Sequence, residues 1–337
     1  MKKHLYVWLM ICAAVCLPLS GCSSVPTASS TEHTKIASDE LTVLTIGTAD
    51  SGGTMYPAGR SIAKVISDAD SSIWLNLSAS NGSSANVRAL DAGEIDLGLV
   101  SGDVAYSAVH GQGEFEGSPV KGLRAIAALY PSLSQWAAPS SLDISYVHDL
   151  KGHSLSIGPQ DSTTELAAKI ALDTMDINDK NTELQNCGIG SGAELVAKGE
   201  LDAVHGFSGA PPGGLSELTD TVPCTILKYT DEELAQILEK NTYYYTDCIP
   251  AGTYHGQDYD VPTFGIKCLL CVDSSVDENL VYRLTEILYE HNDELAESHE
   301  SMASMLQDGF MCTGLSVPLH PGAEKFYQDN GMMAKIE

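Results

Sequence analysis

The side chains best suited to chemistry in this sequence sit in two loops. Ala49-Asp50-Ser51-Gly52-Gly53-Thr54 leaves an apolar run that ends at Ile46-Gly47-Thr48, and Asp161-Ser162-Thr163-Thr164 leaves one that ends at Ile157-Gly158. Each loop leads into a helix-like segment. Ser51, Gly52, Gly53 and Thr54 in one place, and Ser162, Thr163 and Thr164 in the other, therefore set hydroxyls and free backbone N–H groups at the positive end of a helix dipole. That is the chemistry of an anion site. A carboxylate held this way gains about 1.5–3 kcal/mol from each charge-assisted hydrogen bond. Helix capping selects the same residue types, yet capping alone does not explain a repeated phrase. Ile46-Gly47-Thr48-Ala49-Asp50-Ser51 is echoed by Ile157-Gly158-Pro159-Gln160-Asp161-Ser162, and Gly93-Glu94-Ile95-Asp96 by Gly199-Glu200-Leu201-Asp202. Two copies of one strand, loop and helix design imply two α/β lobes facing each other across a cleft that takes a small ligand.

Two enzyme readings of the first loop fail. Asp50-Ser51-Gly52-Gly53 resembles the nucleophile loop of trypsin-like serine proteases, but that family carries its histidine and aspartate well upstream, where the short polar stretch after Cys22 has only His33. Gly47 to Thr54 also spells a phosphate loop, with Gly53 where the lysine belongs. Further polar residues end other strands: Asn81 and Ser83 after one, Ser101 and Asp103 after the next. Each reads equally as a cleft donor or as a helix cap. Phe207 ends a strand in the second lobe, as a pocket wall or a core residue. His320, between Leu319 and Pro321 with no partner in view, reads as structural. Tyr243-Tyr244-Tyr245 and Pro250 to Tyr254 have the composition of a lid but no assigned position.

The elements that must hold these loops follow from periodicity. Val43 to Thr48 is a buried strand; Pro57 opens a helix with Ile62, Val65 and Ile66 at helical spacing. Trp74–Ala79 and Leu97–Ser101 are further strands, separated by a helix over Ser84 to Ala92. Asp103 is placed to cap the helix after the latter strand. Leu123 to Tyr130 is a strand, after which the chain changes lobe through Pro131 to Val147. In the second lobe the pattern gives strands at 154–158, 183–188 and 203–208, and helices at Ser162 to Met175 and Asp231 to Lys240. Val261 to Val272 is a strand pair or one long strand returning to the first lobe, followed by helices over Asp277 to Glu297 and Ser301 to Leu306. The fold class is α/β, with a hinge where the chain crosses twice. The boundaries are 41–135 and 259–337 for the first lobe, and 136–258 for the second.

Composition narrows the partners. Lys2 and Lys3, the apolar stretch Leu5 to Leu17 and Leu19-Ser20-Gly21-Cys22 make residues 1–22 a lipoprotein signal, with Cys22 lipidated. The stretch is short for a membrane span. Residues 23–40, small and polar, form a flexible tether, so the membrane is expected to hold the protein through lipid alone, on the outer side of the cytoplasmic membrane or in the periplasm. Eighteen Lys and Arg against 45 Asp and Glu give a formal charge of −27. Such a surface disfavours nucleic acid. It does not exclude an anionic ligand, because exposed charges are screened within about 8 Å at physiological salt. Six cysteines remain after Cys22: Cys187, Cys224, Cys248, Cys268, Cys271 and Cys312. Disulfides are open to an exported chain, but Cys268 and Cys271 point to opposite faces of a strand, and most of the six read as small hydrophobes. No second pair at ligand spacing supports zinc, and no cofactor is expected.

Taken in order, several passages resemble the TAXI family of solute receptors, the extracytoplasmic subunits of a class of tripartite ATP-independent periplasmic (TRAP) transporters. They are Gly52-Gly53-Thr54-Met55-Tyr56-Pro57, Gly82 to Leu90, Ser101 to Tyr106, Leu150-Lys151-Gly152, Ile249 to Tyr254 and Pro318 to Glu324. The resemblance implies a type II periplasmic-binding-protein fold, no catalysis, and delivery of a small carboxylate-bearing ligand, an amino acid such as glutamate or glutamine or an organic acid, to a TRAP-type membrane permease. By position the family's ligand loops fall on Ser51 to Tyr56, Asn81 to Ser83 and Ser162 to Thr164. Met55, Asp161 and Thr163 depart from the family's usual tyrosine and glycines. Asp161 adds a negative charge beside the expected pocket, which favours a ligand with one carboxylate and an amino or amide group over a dicarboxylate. A second receptor class, a sensory lipoprotein signalling to a membrane partner, fits the same residues.

Overall fold

In the computed structural model, which describes residues 41–333, each of the two phrases joins a parallel strand to the helix that follows it. The expectations for residues 1–40, including the lipid on Cys22, lie outside the described residues.

The apolar run after Leu41 forms β1 (Thr42–Gly47), which pairs in parallel with β2 (Ile73–Ser78) and β3 (Leu97–Ser101). Between them lie α1 (Met55–Ala69) and α2 (Ser83–Asp91), and α3 (Gly102–His110) follows β3. Ile62, Val65 and Ile66 are buried on one side of α1, as their spacing requires. The helix starts at Met55, two residues ahead of the expected Pro57, which sits in the first turn where its missing N–H costs no bond.

β4 (Leu123–Pro139) corrects the expectation that the chain leaves its strand at Pro131, because the strand runs on without a break to Pro139. Its first part pairs antiparallel with β10 (Val261–Asp273) and its last part with β7 (Ala203–Ser208) and β8 (Cys224–Ile226). Pro131 falls opposite Lys267 of β10 and before Leu133, where the β7 pairing begins. Its second edge is free of a ladder there, so a residue without N–H is tolerated.

Beyond β4 the second phrase builds β5 (Ser154–Ser156), α4 (Thr163–Thr174), β6 (Glu183–Gln185), α5 (Ile189–Ala197), β7, α6 (Gly213–Thr221), β8, α7 (Asp231–Lys240) and β9 (Tyr245–Ile249). β5 pairs in parallel with both β6 and β7. α7 opens on a capping box in which Thr230 accepts from Glu233 N and the Glu233 carboxylate accepts from Thr230 N. β10 is a single long strand. Its first residues pair with β9 and its last with β3, so β4 and β10 both run through the two halves of one mixed sheet, in the order β2-β1-β3-β10-β4-β7-β5-β6.

The expected helix over Asp277 to Glu297 is interrupted at His291, giving α8 (Glu278–Glu290) and α9 (Asn292–Ser298); Glu300–Leu306 is a 3₁₀ helix, and α10 (Pro321–Asp329) closes the described chain. His320 is structural, its Nδ1 accepting from Gly322 N at the start of α10. Each half has a core on both faces of the sheet: Leu44, Leu99, Leu270 and Leu284 on one face of the first, Val87, Val104 and Leu269 on the other. Cys268 and Cys271 go to these opposite faces, and all six described cysteines are free thiols. Among the described residues no helix is long and apolar enough to cross a membrane.

Candidate functional site

The carboxyl ends of β1, β2 and β3 are tied together by one buried amide. Asn86 Nδ2 donates to Thr48 O at 2.9 Å and to Leu99 O at 2.8 Å, while the Ser80 hydroxyl donates to Thr48 O at 2.8 Å. These bonds hold the loops after β1 and β2 side by side, where ligands of open α/β sheets bind. In the β1 loop Asp50 Oδ1 accepts from Gly52 N at 2.9 Å, turning the chain toward α1.

The facing half is set by a single directional chain of hydrogen bonds. Trp136 Nε1 donates to the Tyr229 hydroxyl at 3.0 Å, and Tyr229 and Ser134 are 2.7 Å apart. Ser134 lies 2.9 Å from His205 Nε2, and His205 Nδ1 lies 3.1 Å from the Thr164 carbonyl. A carbonyl only accepts, so Nδ1 carries the proton and Nε2 accepts from Ser134, whose oxygen accepts from Tyr229. Burial pushes His205 down to about 3, against the bond to Thr164, so the ring stays neutral and holds the first turn of α4. Ser162 caps α4 by accepting from Glu165 N at 3.2 Å. Burial raises Glu165, but bonds from Lys169, Asn186 and Asp161 N outweigh it and keep the carboxylate ionised.

Between the halves lies a cavity of about 50 Å³. Seven of the expected residues line it: Gly53, Thr54, Asn81, Ser162, Thr163, Thr164 and Phe207. The amino ends of four helices reach it, through Thr54 and Met55 of α1, Gly82 before α2, Ser162 to Thr164 of α4 and Ile189 of α5. No Lys or Arg is among its lining residues, and Asp50 is the charged one. Sequence reasoning missed Tyr130, Ser132, Ile189 and Ser208. The first two lie on β4, and their signal was a tyrosine and a serine at alternate positions, just past the apolar run Ala125 to Leu129.

The other expected residues stand elsewhere. Ser51 and Gly52 line a neighbouring 530 Å³ groove between the halves, which shares Asp50, Asn81 and Pro159 with the cavity. Asp161, exposed and with a left-handed φ of 61°, lines a 210 Å³ groove on another side. Tyr56, Ser83, Ser101 and Asp103 do not line the cavity. Ser83 is fully buried, accepting from Ser101 N at 2.9 Å and lying 3.3 Å from the Thr163 hydroxyl. Ser101, not Asp103, is the N-cap position of α3. Asp103 lies two residues further in, where burial lifts its carboxyl above the usual range against bonds from Tyr244 and Val104 N. Phe207 is both wall and core, packing on Tyr244 and Phe264. Tyr254 is no lid, being buried with its hydroxyl bonded to Gln135.

The expected free donors of the first loop are partly spent. Thr54 N donates to Ser208 Oγ at 3.0 Å, Thr54 Oγ1 to Gly209 O at 2.8 Å, and Gly214 N to Gly52 O at 3.2 Å. All three cross between the halves. The cavity is far below the ~300–1,000 Å³ of ordinary ligand pockets, and the residues on its two sides touch directly.

The chain matches the NMT1-like family over residues 46–331. Among solved structures it is similar to the alkanesulfonate-binding protein SsuA from Xanthomonas axonopodis pv. citri, bound to MOPS, at 14% identity over 86% of this chain and 84% of that one, with a TM-score of 0.48. The substrate-binding protein of an amino acid ABC transporter is similar at 16% identity over 76% and 97%, TM-score 0.48. A putative L-cystine ABC transporter from Listeria monocytogenes is similar at 14% over 77% and 95%, TM-score 0.48. These are likenesses of fold alone.

Proposed function

The chain belongs to the NMT1-like family, and we propose that it is a non-enzymatic extracytoplasmic solute receptor that closes on a small carboxylate-bearing ligand and presents the closed form to a membrane permease. The observation that carries this is the convergence of four helix amino ends, from both halves, on one cavity without a basic side chain. Such a site favours negative charge by dipoles and N–H donors rather than by a salt bridge. Residues 41–135 with 259–337, and 136–258, are the two lobes. Ligand contacts to both exist together only when they are closed, so binding shifts the population toward that state.

The TAXI-like passages favour a TRAP-type permease as the partner, with the chain anchored by lipid at Cys22. A sensory lipoprotein engaging a signalling partner is the second reading. The carboxylate at the cavity is Asp50 rather than Asp161, which favours glutamine-like over glutamate-like ligands. A thermal-shift screen over amino acids, dicarboxylates and sulfonates tests the proposal, since a ligand specific to the folded state raises the melting temperature. A rise without consumption of the ligand supports a receptor; turnover, or no shift with any anion, sinks it.

A further inference from the structure

Tyr130 lies on β4 with its side chain fully buried, it lines the cavity, and its hydroxyl has no hydrogen-bond partner. A buried O–H left unpaired is unfavourable, and folded proteins rarely keep one without a use. Its cross-strand neighbour is Cys268, whose thiol interacts with the phenol but is only a weak acceptor. Of the polar groups that line the cavity, Thr54 N and Ser208 Oγ bond each other and Ser162 Oγ caps α4.

We propose that Tyr130 is a ligand-reading residue, its phenol donating to an oxyanion or carbonyl oxygen of the solute when the halves close. This rests on the receptor reading. The phenol, the Thr163 and Thr164 hydroxyls and the helix amino ends can all donate, and no basic side chain competes for the same oxygen. An acceptor-rich head group therefore satisfies the cavity, whereas an ammonium group, which can only donate, leaves the phenol proton unpaired. Burial holds the phenol well above its usual pKa of 10, so it remains a donor throughout the physiological range.

The test is Tyr130→Phe in the full chain, followed by ligand-free melting and by calorimetric titration with L-glutamine, L-glutamate and succinate. Removing a hydroxyl that bonds nothing in the protein is expected to leave the ligand-free melting temperature unchanged or higher. The Kd for the tightest of the three is expected to rise roughly tenfold. An unchanged Kd overturns the role of Tyr130 and leaves the receptor reading standing. A fall of several degrees in ligand-free melting also overturns it, because the hydroxyl would then be bonded within the fold. A wild-type chain that takes up none of the three overturns both readings.

Discussion

The backbone N–H of Thr54 donates to the hydroxyl of Ser208, 154 residues away, across the closed cleft. On the receptor reading proposed above, halves that already bond to each other need less from a ligand to stay shut. Each such neutral bond contributes about 0.5–1.5 kcal/mol. Ser208→Ala combined with Thr54→Val removes the side chains of two of these bonds. The ligand-free radius of gyration in small-angle scattering is expected to increase, with the liganded value unchanged. Identical scattering from the variant and the wild type would show that these bonds do not govern closure.

Gly214 tests the contact from another direction. A Cβ there would lie 2.8 Å from Gly190 Cα and 2.9 Å from Gly190 N, and these are backbone atoms that cannot turn aside. Gly190 in turn packs beside Gly52 of the opposite half. Gly214→Ala is expected to push α5 against the first loop, weakening ligand binding at least tenfold, or roughly 1.4 kcal/mol. Titration beside a circular dichroism spectrum separates this from unfolding, and unaltered affinity would refute it.

His205 makes stability depend on acid. Its folded pKa is about 3, below the ordinary 6.5, so the unfolded chain binds a proton that the folded chain refuses. Stability is therefore full above about pH 6.5 and is lost as pH falls from there toward 3, by up to about 1.4 kcal/mol per pH unit. Between pH 7 and 5, before most carboxylates titrate, the loss from this one residue is about 2 kcal/mol. Denaturant melts of wild type and His205→Gln over that interval check it. The variant's profile should be flatter, and parallel profiles would remove His205 as the cause.

Asp103 and Tyr244 bond at 2.8 Å between α3 and the segment before β9. Burial disfavours the charged carboxylate, so Asp103→Asn, which remains an acceptor for the phenol, is expected to keep wild-type stability at pH 7 or exceed it. Tyr244→Phe leaves Asp103 Oδ2 without its donor and is expected to cost about 1–3 kcal/mol. Chemical denaturation decides, and the opposite order of the two variants would contradict the geometry.

The alternating strand and helix order was readable because apolar periodicity is local, and the two loops because an unpaired helix start has a recognisable composition. Pro131 misled, since its effect depends on whether a second strand flanks it, which is a non-local fact. Tyr130 and Ser132 were missed for a related reason: a polar side chain inside a buried strand reads as core until the neighbouring half supplies the cavity. Ser51 and Asp161 have the expected chemistry but turn to adjoining grooves, because loop direction is set by bonds such as Asp50 to Gly52 and Asp161 to Glu165. Asp103 shows the same limit, with a capping residue type two positions past the cap.

β4 and β10 belong to both cores at once, with Leu133 and Ala137 on one side of the crossing and Ile126 and Leu129 on the other. Neither half can lose its order without stripping partners from a strand that the other half needs. Heat or denaturant should thus produce one transition, seen alike by Trp136 in one half and Trp74 in the other.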